Sequence, residues 1–374
     1  MRFLSGGGIG LFVLLALAPA ARAQDLPKRM TWTSYDAGSQ GYTEASAIAD
    51  AFGRKYGTRV RIQPSGSSIG RLQPLLNGRA SVGFLATETF FATEGVEDFA
   101  NPKWGPQDLR TIAGRPGSIA MVTTQESGID TIADMKGRRL ALTVGNASIN
   151  VKCAALLAFA GLSLDDIEPV YFPTYSSSQS SLNSGEADAT CGATTSSAMY
   201  ELEASRRGIK WLSVPAENTE GWEQLTKVAP FFSPFYETSG AGLSEDNPVQ
   251  IVGLRYPIIV VRAEMDDDVV YALTKALDET FGLYENATTV TERWSLDGAG
   301  TPPIDAPFHN GAIRYLREIG VWNDQHQSWN DARLARLNTL KDAWITYKAA
   351  NEKLDREPFV EGWMAKRSEL LANF

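Results

Sequence analysis

The chain has 374 residues, of which 43% are hydrophobic and 21% are charged, and this is the composition of a soluble globular protein. It excludes a disordered chain, a collagen-like chain and a polytopic membrane protein. The formal net charge is −9 at pH 7 and no basic run occurs, which argues against a nucleic-acid partner. Because single hydrophobic cores stop growing at roughly 250 to 300 residues, we expect two lobes with a binding site in the cleft between them.

Residues 1–23 have the features of a secretory signal peptide. Arg2 precedes an apolar run at residues 9–18, and Ala21-Arg22-Ala23 has the small-x-small pattern of a cleavage site. The run is shorter than the roughly 20 residues that cross a bilayer. We therefore expect cleavage before Gln24 and a mature protein in the periplasm.

Strand and helix patterns alternate through most of the mature chain. In the first half, apolar alternation predicts strands at 30–35, 60–62 and 81–85, with helices between them that end at Gly57 and Gly78. Further strands are predicted at 140–144, 170–172, 187–191 and 209–214, with helices that end at Gly161 and Gly185 and another near 199–206. This alternation predicts α/β lobes, each with a mostly parallel sheet flanked by helices.

Two apolar segments are predicted to cross between the lobes. They lie at 119–123 and 258–261, where the chain would leave the first lobe and return to it. The predicted division is lobe I at 24–122 plus 256–374 and lobe II at 123–255. Between the crossings, 215–248 has no assignment beyond a helix near 220–228, and the chain from residue 332 onward is predicted to be helical and to pack outside lobe I.

Small polar residues follow the predicted strands in both lobes. The loops concerned are 34–43, 65–68 and 87–89 in lobe I and 145–148, 174–177 and 194–196 in lobe II. Ligands of open parallel sheets bind beyond the carboxyl ends of the strands, where helix N-termini favour anions. The loops offer neutral hydrogen-bonding groups with almost no group for catalysis, which indicates binding of a small anion, a carboxylate above all. Ordinary helix capping is the alternative.

The mature chain resembles the TAXI family of periplasmic solute receptors, which deliver substrates to TRAP-type transporters. The segments that carry the resemblance span nearly the whole mature chain: Gly38-Ser39-Gln40-Gly41-Tyr42, Ser65-Gly66-Ser67-Ser68, GIDTIADMKGRRLAL at 128–142, SLNSGEADA at 181–189, IVVRAEMDDDVVYALTKAL at 259–277 and PFHNGAIRYLREIG at 307–320. The resemblance implies a type II periplasmic-binding-protein fold, the Venus flytrap, that closes on a small organic acid such as an amino acid or a dicarboxylate. It implies a TRAP-type permease as partner, with no catalysis and no cofactor, and we expect a monomer.

The sequence departs from the family pattern at three places. Thr43 stands where the family has a second tyrosine, Gly145-Asn146-Ala147-Ser148 replaces a Gly-Ser-Gly-Thr turn, and Asn310 replaces a proline. The first two lie where a ligand would be selected, so the ligands of the family are not carried over to this chain.

Carried over by position from the resemblance, nine residues of these loops are predicted to line the ligand site, together with Arg115, which lies outside the loops. They are Ser34, Tyr42, Ser67, Ser68, Thr87 and Arg115 on lobe I and Asn146, Ser148, Tyr175 and Thr194 on lobe II. Arg115 follows a predicted strand and can pair with a ligand carboxylate, or it can form a surface salt bridge. Tyr42 and Tyr175 can close over the ligand, or they can simply pack.

The two cysteines leave two possibilities open. Cys153 falls early in a predicted helix and Cys191 at the end of a predicted strand, so they form either a disulfide in an oxidising compartment or two buried thiols. The spacings of histidine and cysteine match no metal site, and we predict none.

A secreted serine hydrolase is the less favoured alternative. Residues 66–70 satisfy G-x-S-x-G between a strand and a helix, with Ser68 as nucleophile and His309 or His326 as base. Only two predicted strands precede the serine, however, and Pro74 lies in the helix that follows. A receptor for an ABC-type transporter or a sensor, with another small ligand, is the third possibility.

Overall fold

A computed structural model gives the fold of the chain and describes residues 26–372 and 374. The predicted signal peptide at 1–23 lies outside the described residues. Within that described part of the chain, no helix is both long enough and apolar enough to span a membrane.

Strands and helices alternate in the order that the sequence predicts. The first group is β1 (Arg29–Ser34), α1 (Gln40–Tyr56), β2 (Arg59–Pro64), α2 (Ser68–Leu76), β3 (Val82–Leu85), α3 (Glu88–Glu94) and β4 (Leu109–Thr124). The second is β5 (Arg139–Thr143), α4 (Ala147–Phe159), β6 (Glu168–Phe172), α5 (Tyr175–Ser184), β7 (Ala189–Gly192), α6 (Ser197–Ala204), β8 (Ile209–Trp211), α7 (Thr219–Val228), β9 (Ser233–Glu237) and β10 (Val249–Arg262). The remainder is helical, with α8 (Asp267–Glu279), α9 (Phe281–Tyr284), α10 (Leu296–Ala299), α11 (Asn310–Glu318), α12 (Asp324–Asn351) and α13 (Arg356–Leu371).

The strands form two parallel groups joined by two long antiparallel strands. The order is β2-β1-β3-β10-β4-β7-β5-β6, with β8 beside β4 and β9 beside β10. Strand β1 pairs parallel to β2 and β3, and β5 pairs parallel to β6 and β7, whereas β10 runs antiparallel to β3 and β4. The predicted α/β two-lobe fold is confirmed, and each lobe has a mixed sheet because the crossing strands run against their neighbours.

The crossing strands are longer than the sequence indicates. The predicted segments 119–123 and 258–261 are parts of β4 and β10, which pair with each other from Leu109 to Ile119. Nearly every residue of β4 is buried, as expected for a strand covered on both faces. The lobe boundaries proposed from the sequence fall inside or beside these strands and stay a prediction.

Each parallel group has its own hydrophobic core. Trp32, Phe52 and Phe84 are at the centre of the first cluster, whereas Leu140 and Leu156 belong to the second. Residues 215–248, unassigned beyond one helix, also contain β9, which adds an edge strand to β10. With two cores and two shared strands, the lobes are joined by β4 and β10.

The C-terminal helices α12 and α13 pack against lobe I, as the sequence predicts. The Glu94 carboxylate, 2% exposed, accepts hydrogen bonds from Arg333, Arg336 and Arg367 of these helices. Burial alone would raise the pKa of Glu94, but the hydrogen bond from Arg336 and the neighbouring arginine charges outweigh it and hold the pKa at about 2. One carboxylate thus fastens both helices to lobe I.

Replacing this carboxylate is expected to loosen the C-terminal helices. In Glu94→Gln the three guanidinium groups lose their partner, and the free energy of unfolding should fall by about 3 kcal/mol, measured by urea denaturation near neutral pH. Because the pKa of Glu94 is lowered, its stabilisation is complete above the unfolded value of about 4.3 and is lost as the pH falls towards 2. The variant should therefore lose less stability than the wild type on acidification.

The control for this experiment is Glu361→Gln. Glu361 is exposed on α13 and makes no ion pair with another described residue, so its replacement should change stability by less than about 0.5 kcal/mol. Equal effects of the two substitutions would contradict the role of Glu94.

Candidate functional site

The polar loops of the two lobes meet across the cleft. The Ser68 N–H donates to the Gly145 carbonyl over 3.1 Å, and the Asn146 side-chain amide donates to the Gly66 carbonyl over 2.8 Å. Further along, the Ser176 N–H donates to the Asp36 carboxylate over 3.0 Å. The lobes are therefore closed on each other in this structure.

Helix capping explains part of the predicted site. Ser67 caps α2 by accepting the Gly70 N–H, and Asn146 caps α4 by accepting the Ile149 N–H. Ser68 lies between them, donating to Asn146 Oδ1 over 3.4 Å and accepting the Ser148 N–H. The N-termini of α2 and α4 are thereby placed face to face.

The structure brings several predicted residues to this junction. Ser68, Asn146, Ser148 and Tyr175 are buried there. Ser34 and Thr87 are also buried, and neither hydroxyl has a hydrogen-bond partner among the described residues.

Three predicted residues have other surroundings. Tyr42 is half-buried on α1 and its described hydrogen bonds use only its backbone. Thr194 donates to the Ser239 carbonyl over 2.8 Å. Arg115 donates through Nε and Nη2 to both oxygens of buried Glu44, at 2.8 and 2.7 Å. The suggestion that Arg115 meets a ligand carboxylate or forms a surface salt bridge is therefore corrected, because it holds a buried carboxylate of its own lobe.

The charged groups nearest the junction are ones that the sequence analysis did not select. Arg71 and Glu88 form a fully buried ion pair with Nε and Oε1 2.8 Å apart. The Arg71 guanidinium lies 3.6 Å from the centre of the Tyr35 ring. Burial alone would raise the pKa of Glu88, but the charge of Arg71 and its hydrogen bond lower it, so the pair is ionised.

Lys152 is a second buried cation, and it has no carboxylate partner. It is 3% exposed, its ammonium donates to Ser148 Oγ over 3.3 Å, and no acidic side chain of the described residues lies within 4.0 Å. Ser148 Oγ also accepts from the Tyr35 hydroxyl over 3.1 Å. Burial lowers the pKa of Lys152 to about 8, against the opposing charges of Glu88 and Asp305, so the amine is still mainly protonated at neutral pH.

We call Tyr35, Arg71, Glu88, Ser148 and Lys152 the Lys152 cluster. It contains two cations and one carboxylate, which leaves one positive charge in excess. Its lysine lines a small cavity between the lobes together with Tyr35, Ser118, Ile119, Ile149, Tyr175, Ala193, Leu254 and Tyr256. The cavity measures about 10 Å³, which is at most the space of one water molecule, so a larger molecule can enter only when the lobes move apart.

A sequence signal for this cluster did exist. Lys152 follows Ser148 by four residues on α4, and Arg71 follows Ser68 by three on α2. Residues at these spacings share one face of a helix. Each cation therefore lies one helical turn beyond a predicted residue at a helix N-terminus, and this spacing is visible in the sequence.

Cys153 and Cys191 form a disulfide, which settles between the two possibilities left open by the sequence. Their Cα atoms are 5.8 Å apart, within the range that a disulfide requires. The bond joins α4 to β7 at the residue next to Lys152. The helix that carries the lysine is thus covalently fixed to the sheet of lobe II.

Ser68 lacks the surroundings of a hydrolytic nucleophile. Its hydroxyl contacts Asn146 and the Ser148 backbone, and neither histidine hydrogen bonds to it. His309 caps α11 by accepting the Gly311 N–H, and the His326 ring packs against Trp322. Over residues 26–372 and 374, no group of three or more potential metal-ligating side chains occurs either.

A profile of the NMT1-like family matches residues 36–320, which is more than half of the chain, and the protein therefore belongs to the NMT1-like family.

Among solved structures, the chain is similar to the alkanesulfonate-binding protein SsuA from Xanthomonas axonopodis pv. citri bound to MOPS, with 17% identity, a TM-score of 0.42 and coverage of 83% of this chain and 85% of that one. The aliphatic sulphonate binding protein SsuA from Escherichia coli gives 16% identity, a TM-score of 0.42 and coverages of 82% and 79%. A protein from Bordetella bronchiseptica RB50 has 18% identity and a TM-score of 0.48, and the match covers 81% of this chain and 92% of that one. The ligands in these names are those of the matched proteins and are not assigned to this chain.

The unpaired charge of Lys152 predicts an unusual effect on stability. In Lys152→Met an apolar stem replaces a buried ammonium, and the free energy of unfolding without added ligand should rise, by an amount on the order of 2 kcal/mol at neutral pH. Because the folded pKa is lowered, the wild type should gain stability as the pH rises from about 8 towards the unfolded value of about 10.4, and the variant should lack this rise.

Denaturation curves across this pH range measure both effects. Lys136→Met is the matched control, because Lys136 is exposed and makes no ion pair with another described residue. A wild-type protein more stable than Lys152→Met would show that the ammonium is already neutralised.

Proposed function

We propose that the protein is an extracytoplasmic solute receptor that binds a small organic acid between its lobes. The single observation that carries this proposal is the buried ammonium of Lys152, which lines an interlobe cavity and has no carboxylate partner among the described residues. A buried cation is costly unless an anion compensates it. A ligand carboxylate would supply that compensation.

The cavity also offers neutral donors. Tyr256 accepts the Gly41 N–H, and Tyr175 accepts from the Gln179 amide and the Ala193 N–H, while neither hydroxyl donates to another described residue. Burial raises the pKa of both tyrosines, so each keeps a proton to donate. An acid group next to Lys152 would accept hydrogen bonds from these hydroxyls. This arrangement suits a carboxylate better than an amine or an alcohol.

Binding requires the lobes to open and close about β4 and β10. A ligand favours the closed arrangement only by its greater affinity for that arrangement. Micromolar affinity corresponds to about −8 kcal/mol, which a few charge-assisted hydrogen bonds in a dry cavity can supply after the ordering costs. The closed shape is then available for recognition by a membrane partner.

We assign delivery to a TRAP-type permease, with the receptor as a monomer in the periplasm. Support comes from the segments that resemble TAXI receptors, including Ser65-Gly66-Ser67-Ser68 at the start of α2. Uptake of the active acid by cells that express this receptor together with a TRAP-type permease tests this assignment. Uptake through an ABC-type permease instead would replace TRAP delivery and leave the acid site unchanged.

A thermal-shift panel of amino acids, dicarboxylates and oxo-acids tests the ligand class. A ligand at about 100 times its Kd should add near 2.7 kcal/mol to stability, and the matching amides should add much less. Lys152→Met should weaken binding of the active acid at least about thirtyfold, since a buried charged partner is worth roughly 2 kcal/mol or more. Lys136→Met should bind as the wild type does.

Two results would overturn the acid assignment. One is a panel in which no acid that depends on Lys152 shifts the melting temperature. The other is an active acid that binds Lys152→Met and the wild type equally.

The hydrolase alternative has its own assay. We expect no turnover of generic esters by the wild-type protein and no difference on Ser68→Ala, because no histidine contacts the Ser68 hydroxyl. Turnover that disappears in Ser68→Ala would contradict the receptor function.

A further inference from the structure

A second and larger cavity lies between the lobes, beside the Lys152 cluster. Its volume is about 280 Å³, close to the lower end of the range for small-molecule sites. The lining comes from α3, the segment between α7 and β9, β10, the loop before α11, and α12, and it includes Phe90, Phe231, Trp329, Arg255, Asp305 and Arg333. Unlike the Lys152 cavity, it has room for a single-ring molecule in this structure.

The side chain of Asp305 is the unexplained group in this cavity. The residue is 6% exposed, and its Oδ2 atom has no hydrogen-bond partner among the described residues. The backbone carbonyl of Asp305 accepts a hydrogen bond from Arg333 over 2.7 Å, but the side-chain carboxyl group accepts none from Arg333. Asp305 lines the cavity although this oxygen is itself enclosed by protein. A buried carboxyl with an unpartnered oxygen at the wall of a roomy cavity is a candidate contact for a bound molecule.

The charges around the cavity favour an anion. Arg255 donates to the carbonyls of Gly114, Gly298 and Pro303, and it has no carboxylate partner within ion-pair distance among the described residues. Arg333 is paired with Glu94. No carboxylate contacts Arg255, and the acidic group whose charge acts on it is Asp305 in the same cavity. While Asp305 is protonated, the positive charge of Arg255 therefore disfavours an organic cation.

The remaining walls are apolar. The Phe90 and Phe231 rings lie with their centroids 5.3 Å apart, and Phe231 and Phe232 lie 5.0 Å apart. Trp329 and Ile304 complete the apolar part of the lining. Such walls gain free energy by burying an aromatic or branched apolar group, which a small dicarboxylate lacks.

We propose that this cavity is a second binding site, for an organic acid with an aromatic or branched apolar body. The acid group meets Arg255 and the carboxyl of Asp305, and the body packs among Phe90, Phe231 and Trp329. The site is distinct from the Lys152 cluster and takes a different class of acid.

The protonation of Asp305 gives the site a pH dependence. Asp305 is faced by Lys152 from α4, Glu88 from α3, Arg255 from β10 and Arg333 from α12. Burial raises the pKa of Asp305 to about 7, although Lys152 and the arginines oppose it. Below that pH the carboxyl is neutral and donates a hydrogen bond to the ligand, whereas above it the carboxylate repels an anion.

The experiment uses phenylacetate as the probe, in equilibrium dialysis at about pH 6 and about pH 8.5, where phenylacetate is ionised. The wild type should bind at least about tenfold more tightly at the lower pH, since most Asp305 ionises in between. Lys152 has a pKa of about 8 and also titrates between these pH values, so the comparison is made in the Lys152→Met background. There Asp305→Asn should retain binding and lose the pH dependence, because the amide still donates and does not ionise. Phe231→Ala should weaken binding, whereas Phe235→Ala, on β9 outside the lining, should not.

Lys152→Met separates the two sites. Phenylacetate should bind this variant as it binds the wild type at about pH 6, whatever the outcome of the acid panel. Three results overturn the proposal: no phenylacetate binding to the wild type, loss of binding in Lys152→Met, or equal pH dependence in Lys152→Met with and without Asp305→Asn. Melting curves confirm that each variant is folded. If Phe231→Ala does not fold, the comparison with Asp305→Asn still decides the proposal.

Discussion

The ammonium of Lys152 is held in the protein interior by contacts that do not neutralise it. Ser148 supplies a hydroxyl and Tyr256 an aromatic ring 5.8 Å away, while Glu88 is occupied by Arg71. Bringing a charge out of water costs several kcal/mol unless a partner compensates it. Buried groups with perturbed ionisation are concentrated at functional sites. The ammonium of Lys152, which no contacting carboxylate neutralises, therefore distinguishes this cleft from an ordinary packed interface between two lobes.

The architecture places that charge where lobe movement controls access to it. Lys152 stands on the first turns of α4, and the disulfide next to it fixes this helix to β7. Arg71 stands on α2 of the other lobe and pairs with Glu88 of the same lobe. An opening about β4 and β10 would thus separate the two cations and leave the Arg71–Glu88 ion pair intact. The ion pair of Arg293 with Glu237 would still join the two predicted lobes.

Most of the fold could be predicted from the sequence, but less of the candidate site. Periodicity located α1, α4 and the parallel strands because each buries one regular apolar face. It missed β9, whose pattern is half-exposed and interrupted by Pro234. Ser68, Asn146 and Ser148 were found because helix N-termini have a local signature. The pairing of Arg115 with Glu44 spans 71 positions along the chain, and the absence of a partner for Lys152 depends on every element around it, so neither has a local signal.

The hydrogen bonds between the polar loops of the two lobes use mainly hydroxyls, amides and carbonyls. Two charged groups also take part: the Asp36 carboxylate accepts from Ser176, and the Arg71 guanidinium donates to Asn146 Oδ1 over 3.5 Å. The neutral bonds each contribute only about 1 kcal/mol net. None of them needs a ligand to form, so the lobes can also close on an empty cleft. If the protein serves a transporter as proposed, that partner would have to distinguish the filled closed state from the empty one, and the spacing between the N-termini of α2 and α4 is a difference on which it could depend.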